Sequence, residues 1–356
     1  MKNSPTIQIE DPKNEDRETH FDREKLNQVI TGYRTATVLF AANRLGIFAA
    51  ADGGRTADEI SEKLGTSRRT TQILLDTLLR LKLLTHETDR YDNTPFGKRF
   101  LLEAGEQCLV HNLAYQACTW RNSWSRLEEV VRAGKPVCGY DRLHERQPGF
   151  ATTYLRAMEE ISRRSAREIA AHLHLPAYGR MLDIGAGSGV YTRELLQRYP
   201  FFKGDLLDGE DTLAVAEREF FHPKALRDRV RFIPGDYRSL DFGAAQYDLV
   251  LASHVTHNEP ESENRRMLRK IFEALKPGGS AVIHDFVRGS KTDATLIALF
   301  DIHLAVLTDG GKVYPGHAYS TWLRQAGFRE IRWRKICSET DNPTVAIIAT
   351  KLGTDL

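Results

Sequence analysis

Paired cysteines, long apolar runs and a charge of one sign are all missing from this 356-residue chain. The four cysteines, Cys108, Cys118, Cys138 and Cys337, form no Cys-x-x-Cys pair. Spread in this way, they read as ordinary reduced thiols of a cytoplasmic protein. No segment approaches the roughly 18 consecutive apolar residues that span a bilayer, and the polar first 20 residues carry no apolar stretch behind a basic start. No membrane partner is expected. Fifty Lys and Arg against 48 Asp and Glu leave a net charge of only +2. Proteins that work by neutralising many phosphates show a stronger basic bias, so nucleic acid is disfavoured as the main partner.

What is present is enough apolar residue, 41%, for globular packing, in a chain long enough for two domains. Residues 1–20 read as a disordered tail. From Leu26 to Ala50 apolar side chains recur at helical spacing. A short helix over Ala57–Leu64 follows, capped by Thr56 with Glu59 three residues on. A turn at Gly65-Thr66-Ser67 leads to a second helix, Arg68–Leu83. Leu84-Thr85-His86 and Arg90–Thr94, with a polar turn between them, suit a small β-wing. Together these make a winged-helix unit over 21–108, either a dimerisation module or a DNA reader. Residues 109–175 read as helical and rich in aromatics (Tyr115, Trp120, Trp124, Tyr154), with Met158 following. An interruption from Gly134 to Gly149 carries Pro136, Gly139 and Pro148.

From 176 onward the pattern changes. Strand-like runs at 180–184, 203–207, 230–233, 247–252 and 279–284 alternate with helical ones, which argues a parallel sheet covered on both faces. The chain ends in two runs, Ile331–Cys337 and Thr344–Thr350, around Asp341-Asn342-Pro343. So short a connection predicts an antiparallel hairpin. The expected fold class is therefore α/β: a Rossmann-like domain closed by a C-terminal antiparallel hairpin and preceded by a helical winged-helix domain.

The first strand runs into Asp183-Ile184-Gly185-Ala186-Gly187-Ser188-Gly189, with a helix from about Val190 to Tyr199. Glycines belong where the backbone turns sharply and approaches a ligand. The spacing breaks the Gly-x-Gly-x-x-Gly fingerprint of dinucleotide sites, because Val190 falls where the third glycine is needed. Asp208, 21 residues after Gly187, can accept both ribose hydroxyls of a nucleoside. Asp236 closes the next strand and can accept from an adenine amino group, while Tyr237 can pack on the ring. These acids and glycines at successive strand ends form a much more specific signal than any one of them.

Here the chain resembles the small-molecule O-methyltransferases that carry an N-terminal winged-helix dimerisation domain, a family of class I S-adenosylmethionine-dependent enzymes. The resemblance runs from about residue 25 to the C-terminus and is strongest at Ser253-His254-Val255-Thr256-His257 and Ala274-Leu275-Lys276-Pro277-Gly278-Gly279. It implies S-adenosylmethionine as cofactor, a homodimer, and a small aromatic or polyketide-like acceptor methylated on a hydroxyl. It also implies His257 as general base with Asp285 orienting it, Ser253 and Ser162 at the cofactor, and Tyr154 and Met158 lining the acceptor pocket with Trp124 and His303. A neutral imidazole is a serviceable base for a phenol with a pKa of about 10. Two departures stand out. Asn258-Glu259 replaces the family's Asp-Trp after the histidine, and His317-Ala318-Tyr319 stands where a second orienting acid is expected. A carbon or nitrogen acceptor, a ligand-sensing regulator and an NAD enzyme remain as alternatives. His254 and His257 could pair on a metal, but no third ligand is apparent and no metal is expected.

Overall fold

The computed structural model describes residues 23–289, 294–337 and 344–353. The expected tail over 1–20 and the turn at 341–343 lie outside the described residues. The N-terminal unit consists of α1 (Arg23–Leu45), α2 (Ile47–Ala51), α3 (Ala57–Leu64), α4 (Arg68–Arg80), the wing strands β1 (Leu84–Glu87) and β2 (Arg90–Asn93), and α5 (Pro95–Phe100). α3 starts where the sequence predicts, because Thr56 and Glu59 complete a reciprocal capping box. α4 stops at Arg80, three residues short of the expected end, and Lys82 adopts a left-handed φ of 60°. That turn directs Leu84 into the wing, where it pairs with Asn93. The apolar faces of these elements close around Ala42, Ile47, Phe48, Ile60, Leu75 and Leu78.

α1 presents a second apolar face that stays exposed among the described residues. Leu26, Val29, Ile30 and Tyr33 are 45%, 67%, 59% and 55% exposed.

The middle segment is helical, as the aromatic spacing predicts: α6 (Val110–Asn122), α7 (Leu127–Ala133), α8 (Tyr140–Arg146) and α9 (Phe150–His172). The expected interruption at 134–149 is only partial, since α8 forms inside it. Leu143 of α8 is fully buried, and that packing overrides the local turn signals from Gly139 and Pro148.

The second unit is a seven-stranded sheet in the order β5-β4-β3-β6-β7-β9-β8. The parallel strands are β3 (Tyr178–Ile184), β4 (Phe201–Asp208), β5 (Val230–Pro234), β6 (Tyr247–Ser253) and β7 (Leu275–Asp285). β9 (Thr344–Thr350) inserts antiparallel between β7 and β8 (Glu330–Ile336), which is the expected terminal hairpin. β7 begins earlier than expected and takes in Lys276-Pro277-Gly278-Gly279, with an irregular register opposite Tyr247 and Leu249. Helices α10 (Val190–Arg198), α11 (Glu210–Phe220) and the short α12 (Lys224–Arg227) connect β3, β4 and β5; α13 (Glu261–Ala274) leads into β7. α14 (Ala294–Leu307) and α15 (Gly316–Ala326) lie between β7 and β8. Each sheet face has its own core. Leu182, Val250, Ile283 and Trp322 mark one, and Met181, Leu206, Leu249 and Ile169 the other.

This order puts the C-terminal ends of β3, β4, β5, β6 and β7 along one rim. In an open α/β sheet, ligands bind in the crevice outside those ends.

Candidate active site

The glycine loop after β3 is built as its sequence requires. Gly185, Gly187 and Gly189 all have left-handed φ, at 64°, 54° and 72°. Gly189 is also a packing glycine: a Cβ there would lie 2.7 Å from both Leu206 and Phe221. Asp208 at the end of β4 reaches back to the loop, accepting from the Gly187 amide at 2.8 Å and from Gly209 at 2.7 Å. Burial raises its carboxyl above the usual range, against those amides. Asp183 is buried and accepts from Thr192 Oγ1 at 2.7 Å. Burial pushes it up to about 7, helped by the nearby Asp208 charge.

The loop is braced from behind by a group that sequence reasoning missed. Glu159 of α9, 6% exposed, accepts from Ser188 Oγ at 2.8 Å and from Arg193, whose guanidinium also holds the Ser188 carbonyl. A charge followed by a second glutamate on a helix gives no sign of a distant partner, so nothing in the sequence marks Glu159.

The remaining candidates along the rim are more varied. Asp236 receives the Arg238 amide at 2.8 Å and its guanidinium at 3.0 Å, which holds it below the ordinary carboxylate range. Tyr237 packs against the sheet core, and its hydroxyl donates to Glu259 at 2.6 Å. Ser253 lies 2.9 Å from His284 Nδ1, and the Tyr191 hydroxyl lies 3.1 Å from the same nitrogen. Ser162 and Ser253, 91 residues apart in sequence, both act on Tyr191 and lower its hydroxyl's pKa against the burial that raises it.

His257 follows β6 on a short 3-10 turn and is 7% exposed. Its Nδ1 lies 2.6 Å from Asp285 Oδ1, at the end of β7. Asp285 is fully buried and accepts from three further groups: Thr256 Oγ1 at 2.5 Å, the His257 amide at 3.1 Å and the Phe286 amide at 2.8 Å. The facing imidazoles and these donors hold it ionised, well below the usual carboxylate range, despite its burial. Tyr319, in the segment where a second acid was expected, bonds to Thr256 at 2.8 Å and so to Asp285 at one remove. Glu259 and Asn264 pin the same turn: Asn264 donates to the Thr256 and Glu259 carbonyls, and Tyr314 donates to the latter.

Beyond His257 runs an aromatic wall. Phe300 of α14 stands edge-on to His257, with centroids 5.2 Å apart, and stacks on His303 at 5.7 Å. Trp124 Nε1 donates to His303 Nδ1 at 3.2 Å, and His303 Nε2 lies 3.2 Å from the Tyr115 hydroxyl, itself 2.9 Å from Tyr140. An Nδ1 that accepts leaves the proton on Nε2, so the ring is neutral with a defined tautomer. Burial agrees, pushing His303 down to about 4. Tyr154 packs between Tyr115 and Tyr140 and feels the Asp208 charge. Met158 joins the same cluster. Asp301 is turned away from it, bonded to Arg288 and the Val313 amide.

The glycine loop and the histidine turn adjoin. A Cβ on Gly185 would come within 2.7 Å of Val255, two residues before His257. Such a sheet order, with its reversed terminal hairpin and an acid-tipped, glycine-rich rim, defines a class I methyltransferase fold. The known proteins agree. Residues 124–329 match an O-methyltransferase domain and residues 27–103 an O-methyltransferase dimerisation domain. A 3-hydroxy-5-methyl-1-naphthoate 3-O-methyltransferase of Streptomyces sahachiroi is 29% identical, with 90% of this chain and 94% of that protein covered. An L-tyrosine C(3)-methyltransferase of Streptomyces lavendulae is 28% identical, over 93% of each. The crystal structure of human N-acetylserotonin methyltransferase in complex with SAM has a TM-score of 0.81 at 24% identity, covering 94% of this chain and 99% of that one. The chain belongs to the S-adenosylmethionine-dependent O-methyltransferase family. Among the described residues, no helix is long and apolar enough to cross a membrane.

Proposed function

We propose that this enzyme methylates a hydroxyl of a small aromatic or polyketide-like acceptor, with His257 as the general base and Asp285 orienting it. The observation that carries the reading is the 2.6 Å contact between His257 Nδ1 and a fully buried Asp285. A carboxylate there keeps the proton on Nδ1, which leaves the Nε2 lone pair to receive the acceptor's proton, and it stabilises the imidazolium that results. When bound, S-adenosylmethionine supplies an electrophilic methyl on its sulfonium. The residues at the rim suit it. Gly185, Gly187 and Gly189 give the backbone a close approach, and Asp208 faces a ribose with Asp183 behind it. Asp236 and Tyr237 stand at the adenine end, Ser162 and Ser253 at the amino-acid end. Asp236 must leave Arg238 to serve the adenine amino group, a modest cost for a half-exposed pair.

Tyr154, Met158, Trp124 and His303 line the acceptor side. Their work is alignment, because placing two reactants in line lowers a barrier by several kcal/mol. The exposed stripe of α1, in a segment that matches a dimerisation domain, supports a homodimer. The division into a dimerisation domain (21–108), a helical pocket segment (109–175) and a catalytic domain (176–356) is part of this reading. A second reading, C-methylation of an enolisable or phenolic ring carbon, is favoured by the Streptomyces lavendulae relative and would use the same base.

The test is a panel of phenols and keto-enols with methyl-labelled cofactor, the product analysed for the atom that gains the methyl. Adenosylhomocysteine should bind in calorimetry to both the wild type and His257→Ala, while the variant loses turnover. If His257→Ala turned over like the wild type with cofactor binding intact, the assignment of the base would be wrong.

A further inference from the structure

The base reading leaves His254 without a task. It is the first residue after β6 and holds a left-handed φ of 57°, a conformation that costs a non-glycine residue about 1–2 kcal/mol. Its amide is tied to the His284 carbonyl at 2.8 Å. Its ring is wedged edge-on to His284 and beside Phe286, with centroids at 4.7 and 5.4 Å. The strain therefore serves to place an imidazole, and the side chain stays 29% open. Among the described residues, neither of its ring nitrogens makes a hydrogen bond.

The group its Nδ1 faces is Asp285, whose two oxygens are used differently. Oδ2 is anchored by Thr256 and the His257 amide. Oδ1 accepts from the Phe286 amide at 2.8 Å and lies 2.6 Å from Nδ1 of His257 and 3.7 Å from Nδ1 of His254. One carboxylate oxygen and two imidazole nitrogens thus converge, each within 4.8 Å of the others. The third ligand that the His254-x-x-His257 spacing lacked is supplied from the neighbouring strand.

We propose that His254, His257 and Asp285 bind a divalent transition-metal ion of the zinc type, and that the bound ion switches methyl transfer off. Two imidazoles and one carboxylate are a borderline donor set, suited to zinc and poorly suited to magnesium or calcium, which take oxygen ligands. Three protein ligands leave a coordination position open. Zinc bonds to nitrogen and oxygen run at about 2.0–2.2 Å, so the ion seats as the His257–Asp285 pair widens and the Nδ1 proton of His257 is exchanged through solvent for one on Nε2. Thr256, Tyr319 and the backbone amides then form the outer shell that orients the carboxylate.

The consequence follows from the tautomer. With a metal on Nδ1, a neutral His257 ring carries its proton on Nε2, and the lone pair that would take the acceptor's proton is gone. That consequence rests on the base reading; the binding does not.

The test is calorimetry on metal-stripped, full-length protein titrated with zinc chloride and, separately, magnesium chloride. One zinc per chain and no magnesium are expected, with turnover falling in step with zinc occupancy and returning on chelation. His254→Leu should weaken zinc binding by at least about 100-fold, more than the loss of an outer-shell partner costs, while adenosylhomocysteine still binds. His254→Cys, which keeps a metal ligand, should retain zinc. Cys108→Ser should change nothing, although Cys108, His111 and Glu160 form a second cluster of possible donors. Absence of zinc binding, zinc binding that survives His254→Leu, or its loss in Cys108→Ser each overturns the site. Full turnover in the zinc-loaded wild type overturns the switch. A protein that binds zinc through His254 while its His257→Ala variant keeps wild-type turnover sinks the base reading and leaves the metal site standing.

Discussion

Replacing Asp285 by asparagine changes the least structure for the most chemistry. The carboxylate accepts from four donors: His257 Nδ1, the His257 and Phe286 amides, and Thr256 Oγ1. An asparagine can keep its oxygen toward His257 Nδ1 and Phe286, but its amino group then faces the His257 amide, and two donors meet. An unsatisfied buried donor costs about 1–3 kcal/mol. As His257 takes up the acceptor's proton, the imidazolium also loses a charged hydrogen bond of about 1.5–3 kcal/mol. Only this second loss falls on the transition state alone. At about 1.4 kcal/mol per decade of rate, it lowers kcat by roughly 10- to 100-fold, and the displaced ring can add to that. Asp285 is fully buried, so KM for the acceptor and the dissociation constant of adenosylhomocysteine should move little. The assay is steady-state transfer from labelled cofactor, beside calorimetry with adenosylhomocysteine. A kcat within threefold of the wild type would refute the orienting role. Equal loss of turnover and of cofactor binding would show collapse of the rim instead.

Gly189→Ala places a Cβ 2.7 Å from Leu206 and Phe221 at a φ of 72°; overpacking and left-handed strain together should cost about 3 kcal/mol, read as a lower denaturant midpoint. An unchanged midpoint would mean that the loop is not clamped as described. Asp183, pushed up to about 7, binds more protons folded than unfolded between pH ~4 and ~7, so its contribution to stability falls as pH rises through that window. Asp183→Asn should therefore show a flatter fall in melting temperature from pH 5 to pH 8 than the wild type; parallel profiles would contradict the raised carboxyl. In sedimentation velocity the wild type should run as a dimer and Ile30→Glu, on the exposed stripe of α1, as a monomer. A variant that stays dimeric would place the interface elsewhere.

Local features of the chain were legible before any coordinates. The capping box at Thr56 and Glu59, the three left-handed glycines, the acids at the ends of β3, β4 and β5 and the antiparallel pairing of the last strands follow from short-range rules. Backbone sterics, cap geometry and strand alternation act over a few residues and are written locally. The resemblance of 253–279 to a known family singled out His257 and Asp285, which lie 2.6 Å apart. What only the tertiary structure decided are the long-range pairings: Glu159 behind the glycine loop, Trp124 and Tyr115 on either side of His303, and α8 formed within an expected break. It also decided what the histidine pair amounts to. His254 and His257 offered two nitrogens and no third ligand, and β7 brings Asp285 Oδ1 to both of them. A side chain's neighbours across a sheet are set by strand order and by which core faces close. Strand order is a property of the packed whole, where burial outweighs any preference of a single segment.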